Sequence, residues 1–141
     1  MTGVRRAALA FGVLALLAAG CGGSKKSESG ESEGQKTTIA GVSANDHGSK
    51  RVSGSAEVEL DDYYFEPTVL EGAPGSKVKL ELKNEGSVEH NLSIDAQKID
   101  QDVDAGESAS VTVTIPQSGE ISLYCKYHKS KGMAGALAAS S

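Results

Sequence analysis

From Ala56 onward, apolar side chains recur at every second position, and few backbone arrangements other than strands can use that period. "AEVEL" alternates, and "KVKLELK" sets Val78, Leu80 and Leu82 on one side with Lys and Glu on the other. "VEHNLSI" aligns Val88, His90, Leu92 and Ile94; "SVTVTI" aligns Val111, Val113 and Ile115; "ISLYC" aligns Ile121, Leu123 and Cys125. Period-2 alternation with one wet face predicts antiparallel strands. "EGAPGS", "KNEGS", "DAGES" and "PQSGE" punctuate them with turn residues, and no stretch carries a long 3.6-residue apolar stripe. Short strands broken this way predict an all-β sandwich. Tyr63, Tyr64, Phe65 and Leu70 are expected to add to its core, and no internal repeat is visible.

Ahead of this domain, two segments have different compositions. Residues 1–20 place Arg5 and Arg6 before fourteen uncharged, mostly apolar residues, "AALAFGVLALLAAG". That layout predicts a secretory signal peptide; the run is shorter than the ~20 residues a spanning helix needs. The join "LLAAGC" resembles a bacterial lipoprotein signal, with Cys21 as the lipidated residue. Residues 22 to 53 hold Gly, Ser and mixed charge with almost no large apolar side chain, so residues 21–53 are expected to form a lipidated flexible tether. His47 falls in this tether and is expected to be solvated and without a role. The domain proper is assigned to 54–141. A formal charge of −5 argues against a nucleic-acid footprint.

With Cys21 lipidated, Cys125 has no intramolecular disulfide partner. It could be an inert core residue, half of an intermolecular disulfide, or a ligand. Its neighbours bear on the choice. His128 follows at Cys-x-x-His and Met133 lies eight residues on. His90, thirty-five residues upstream, shares a face with Leu92 and Ile94, so both His90 and Cys125 should point inward. Two imidazoles and a thiolate with a weak axial thioether make a mononuclear blue-copper site. Zinc accepts Cys and His but does not ordinarily take methionine, so copper suits this set better.

The stretches "YYFEPTVLEGAPGSKVKLELKNEGSVEHNLSI" and "IPQSGEISLYCKYHKSKGMAGALAA" resemble the cupredoxins, the small blue type 1 copper proteins, in their plastocyanin-like branch. The resemblance covers roughly 56–141 and implies a Greek-key β-sandwich holding one copper ion. Residue by residue, it implies His90 and His128 as imidazole ligands, Cys125 as the thiolate and Met133 as the axial sulfur. Asn91 matches a neighbour whose side chain ties the ligand loops together. Gly132 and Gly135 would let the loop turn and lead into a last strand, "ALAA". Two features are this chain's own: an acidic stretch, "DAQKIDQDVDAGE", and a basic loop, "KYHKSKG".

Residues 54–141 carry fifteen Asp and Glu against seven Lys, a net charge of −8. Lys126, Lys129 and Lys131 cluster around His128 and form a candidate docking collar for an acidic redox partner. The expected function is a membrane-tethered, extracytoplasmic electron shuttle, in the periplasm or at the cell surface. It would be a monomer and catalyse no reaction of its own. A copper-binding or delivery protein with the same ligands is the alternative, and a sandwich interaction module without metal is a third reading.

Overall fold

The computed structural model describes residues 34–141. The expected signal segment, Cys21 and the start of the tether lie outside the described residues. In chain order the strands begin with β1 (Gln35–Ile39), β2 (Val42–Asp46), β3 (Ser49–Arg51) and β4 (Ser55–Asp61). β5 (Tyr64–Glu66), β6 (Val69–Gly72), β7 (Lys77–Asn84) and β8 (His90–Ile94) follow. The last four are β9 (Ile99–Val103), β10 (Ser108–Thr114), β11 (Glu120–Tyr124) and β12 (Ala134–Ala139). No helix among the described residues is long and apolar enough to cross a membrane.

Two sheets enclose the core. One runs β10-β7-β4-β5 and the other β3-β6-β12-β11-β8-β9. The alternating residues of the sequence meet between them: Val58 and Leu60 of β4, Val78, Leu80 and Leu82 of β7, and Val113 of β10 face Leu92, Ile94, Leu123 and Leu137. Removing each such side chain from water stabilises the fold by ~1.5–3 kcal/mol. Phe65 and Leu70 join this core, while Tyr63 packs at its edge and Tyr64 stays outside it.

The pairing is mixed rather than antiparallel throughout. β4 runs parallel to β7, and β6 runs parallel to both β12 and β3. Side-chain alternation reports which face is buried, and it is the same for either direction. β8 also lacks the expected wet face, since all five of its residues are buried. Val88 lies before this strand and is 38% exposed, so it does not share the inward face of His90.

The tether boundary at residue 53 requires correction. β1 and β2 form a hairpin whose Ile39 and Ala44 pack on Ala134 and Ala136, the outward side of β12. Asn45 N–H donates to the Gly132 carbonyl at 2.8 Å. β3, fully exposed, is held by parallel main-chain pairing to β6. Composition missed this because the segment borrows its apolar partner from β12 and takes much of its order from backbone hydrogen bonds. His47 is likewise not solvated. Its side chain is 6% exposed, its ring stacks on Tyr64 with centroids 3.5 Å apart, and its backbone N–H donates to Thr68 Oγ1.

Small residues make β12 fit between core and hairpin. At Gly135 a Cβ would come within 2.1 Å of the Thr68 carbonyl oxygen, the oxygen that accepts the Ala136 N–H. Backbone on both sides leaves that contact no soft way out. Gly135→Ala is therefore expected to lower unfolding stability by about 3 kcal/mol or more, read as a fall in the urea midpoint at unchanged slope.

Candidate metal centre

β11 ends at Tyr124, and the next nine residues fold back on themselves. Cys125 N–H donates to the Met133 carbonyl at 3.0 Å, closing the loop at its base. Inside it, His128 N–H returns to the Cys125 carbonyl at 3.1 Å. A single 3-10 turn, Lys129–Lys131, then carries the chain to Gly132. Gly132 has φ +91°, a left-handed backbone that a side chain would strain. This tight path brings Cys125, His128 and Met133 to one end of the sandwich. His90, first residue of β8, reaches the same point from the neighbouring strand of the sheet.

The donor atoms converge. His90 Nδ1 lies 3.2 Å from His128 Nδ1, and Cys125 Sγ lies 3.5 Å from His128 Nδ1. All three fall within 4.8 Å of one another. Nitrogens held at about 2.0 Å and a sulfur at about 2.3 Å from one ion lie within roughly 4 Å of each other, so these spacings suit a shared cation. His90 Nε2–H donates to Asp62 Oδ1 at 2.8 Å, which leaves Nδ1 as the ring atom that faces His128 and Cys125. Met133 is fully buried in the core cluster that also contains Cys125. Nitrogen and sulfur donors without a coordinating carboxylate fit copper, and a thioether beside them favours it over zinc.

Electrostatics prepare these groups for a metal. Burial pushes the Cys125 thiol above its ordinary value, although backbone N–H groups of Tyr127, His128 and Asn91 work the other way. Burial first, and then the neighbouring His90, lower His128 below its ordinary 6.5. At neutral pH His128 is therefore an uncharged donor and Cys125 a thiol. Burial would raise Asp62, but hydrogen bonds from the Ser87 hydroxyl and N–H and from His90 outweigh it, holding the carboxyl below the ordinary carboxylate value.

A polar layer joins strand to loop. Asn91 Oδ1 accepts the Lys126 N–H at 3.2 Å and the Ser93 hydroxyl at 2.6 Å. Its Nδ2 donates to Asp100 at 2.7 Å and Asp102 at 2.8 Å. Those carboxylates, from the acidic stretch, also hold Lys126 Nζ at 2.8 and 2.9 Å. Lys126 thus has its charge met locally and does not belong to an open collar. Lys129 and Lys131 lie instead over the rings of Tyr124 and Tyr63, 4.3 and 4.9 Å from the centroids. Half-buried His128 sits beside Tyr63, with ring centroids 4.7 Å apart. Among the described residues the exposed large hydrophobics are Val88 and Tyr127, close in sequence to His90 and His128.

Three contributors escaped sequence reasoning. Asp62 belongs to none of the strand or turn patterns of the sequence, and only the fold brings it to His90. Tyr63 reads as core, and no periodicity distinguishes it from Phe65. Asn45 lies in the supposed tether, yet its Nδ2 donates to the carbonyls of Tyr63 at 2.9 Å and Lys131 at 3.0 Å.

The sequence model of the cupredoxin-like domain matches residues 14–139, and the chain belongs to this family. Solved structures agree on the fold. Auracyanin B is 22% identical, with a TM-score of 0.53, over 63% of this chain and 90% of its own. Auracyanin A, a "blue" copper protein from Chloroflexus aurantiacus, is 19% identical with a TM-score of 0.51, over 64% of this chain and 100% of its own. The metal-binding domain of the Cu(I)-exporting P-type ATPase CopA from Streptococcus pneumoniae, solved with Cu(I), is 10% identical. Its TM-score is 0.55, over 67% of this chain and 98% of its own. Among curated protein sequences, none matches this chain.

The raised thiol sets a pH dependence. Below its pKa Cys125 binds a metal only by losing its proton, so apparent affinity rises with pH, by up to about tenfold per unit. Isothermal titration in buffers of different ionisation enthalpy at pH 6–7 should show release of at least one proton per ion, and no release would contradict this.

Proposed function

We propose that the chain is an extracytoplasmic single-electron carrier, tethered to a membrane through lipid on Cys21, with one copper ion held by His90, Cys125, His128 and Met133. The convergence of two Nδ1 atoms and one Sγ at a buried loop end carries this reading. When bound there, the ion would supply the Cu(I)/Cu(II) couple. The chain's residues do the rest. Imidazole suits either oxidation state and thiolate favours Cu(I), so a donor set fixed by the fold can accept both with little movement. Burial of Cys125 and Met133 keeps water from the sulfurs. His128 is the least buried of the three converging donors and would be the port through which the electron passes.

The partner would be another redox protein, approached through this end. Lys129 and Lys131 carry positive charge next to His128, on a domain that is otherwise strongly acidic. Oriented charge of this kind steers an acidic surface onto the electron port and is screened by salt. Copper delivery by the same ligands remains the alternative function. The closed loop, with Cys125 and Met133 buried at its base, favours the carrier, because a delivery site must open its ligands to hand the ion over.

Two measurements test these statements. Copper(II) titrated into the purified chain should bind one to one, with an intense charge-transfer band in the red and narrow hyperfine splitting in EPR. Both signatures should vanish in Cys125→Ser, and stoichiometric binding without them would favour copper handling. For the port, oxidation of the reduced protein by anionic ferricyanide should slow several-fold in Lys129→Gln/Lys131→Gln at low ionic strength. That difference should disappear at 1 M salt; an equal loss at all salt concentrations would rule out steering.

A further inference from the structure

Of the ligand set, His90 is the one supplied by the sandwich rather than the loop, and its side chain is fully buried. Its outward nitrogen meets a charged side chain instead of a backbone carbonyl: Nε2–H donates to Oδ1 of Asp62 at 2.8 Å. Asp62 follows the last residue of β4 and is 26% exposed, so it touches both solvent and the buried ring.

Its position is held from several directions. Ser87 N–H donates to both carboxylate oxygens, at 3.2 and 3.0 Å, and the Ser87 hydroxyl donates to Oδ2. The Asp62 N–H is in turn taken up by Asp61 Oδ1 at 2.8 Å. Gly86 leaves the gap in which this happens. A Cβ there would stand 2.4 Å from Asp62 Oδ1 and 2.6 Å from His90 Nε2, so a larger residue would break the contact. Main-chain hydrogen bonds from Glu85 and Gly86 to the Leu60 carbonyl, at 2.9 and 3.2 Å, dock this loop against β4.

We propose that Asp62 is a positioning and charge-setting residue for the copper centre: through the Nε2–H of His90 it fixes the ring and favours Cu(II) over Cu(I). The inference rests on the copper reading given above. A carboxylate on the far nitrogen makes an imidazole a stronger donor. It also places a negative charge one ring away from the ion, which stabilises the more positive oxidation state. The carboxylate thereby opposes the preference of the two sulfurs for Cu(I) and lowers the reduction potential.

The test compares the wild-type chain with Asp62→Asn and Asp62→Glu, each loaded with copper, by visible spectroscopy and voltammetry at pH 7. Asparagine retains an oxygen at the Oδ1 position to accept from His90 and from the Ser87 N–H, and removes the charge together with the acceptor that the Ser87 hydroxyl uses. It should stay blue while Cu(II) affinity falls about tenfold relative to Cu(I), a rise of roughly 59 mV for one electron. Glutamate should restore part of that shift. A blue Asp62→Asn protein at the wild-type potential, or at a lower one, would overturn the proposal. A wild-type chain that binds copper without turning blue would instead overturn the copper reading beneath it.

Should Asp62→Asn fail to fold, NMR of the Cu(I)-loaded wild-type chain decides. The His90 ring N–H should appear as a slowly exchanging, strongly downfield signal, as a hydrogen bond to a carboxylate requires. A fast-exchanging ring N–H there would refute the assignment.

Discussion

The hydrogen bond from Lys126 N–H to Oδ1 of Asn91 ties the ligand loop to strand β8 just beyond the point where β8 pairs with β11. Strand β8 is placed by burial, because Leu92 and Ile94 have nowhere else to go. The 125–133 loop is placed by its own backbone hydrogen bonds and by Gly132. Asn91 adjoins His90, and Lys126 adjoins Cys125, so this amide and the β8–β11 pairing together fix the distance between the histidine and the thiol. Asp100 and Asp102 hold the other end of that amide and the Lys126 ammonium together. The acidic stretch, which looks like surplus charge in the sequence, acts as a brace behind the ligands.

A second brace comes from the other side. The β1–β2 hairpin packs on the outer face of β12, and Asn45 reaches from it to the carbonyls of Lys131 and Gly132. Loop residues leading to Met133 are thus gripped by a segment far away in sequence. Asn45 also binds the Tyr63 carbonyl, and the Tyr63 ring lies beside His128. Asn91 on one side and Asn45 on the other leave the ligand loop little freedom. A carrier benefits from that restraint, since each change of charge at the ion then costs little rearrangement.

Much of this was legible in the sequence, for identifiable reasons. Alternation located β4, β7, β8, β10 and β11 because each has one face against the core, and turn residues marked their ends. The converging donors were legible because Cys125 and His128 lie three residues apart and His90 keeps the parity of a core position. What remained hidden depends on partners distant in sequence. β1 and β2 are polar alone and acquire an apolar neighbour only when β12 is in place. Asp62 and His90 are twenty-eight residues apart, with neither period nor motif connecting them. Parallel and antiparallel pairing leave the same alternation, so β4 beside β7 could not be distinguished from a hairpin.

The fold itself brings two imidazoles and one thiolate to one point, and the proposed function requires this set to serve both oxidation states of one copper ion. Copper K-edge X-ray absorption on the oxidised and reduced protein tests it most directly. Two nitrogens and one short sulfur in both samples, with first-shell distances nearly unchanged on reduction, are the expected result. A shell of oxygen and nitrogen only, or the loss of an imidazole on reduction, would contradict it.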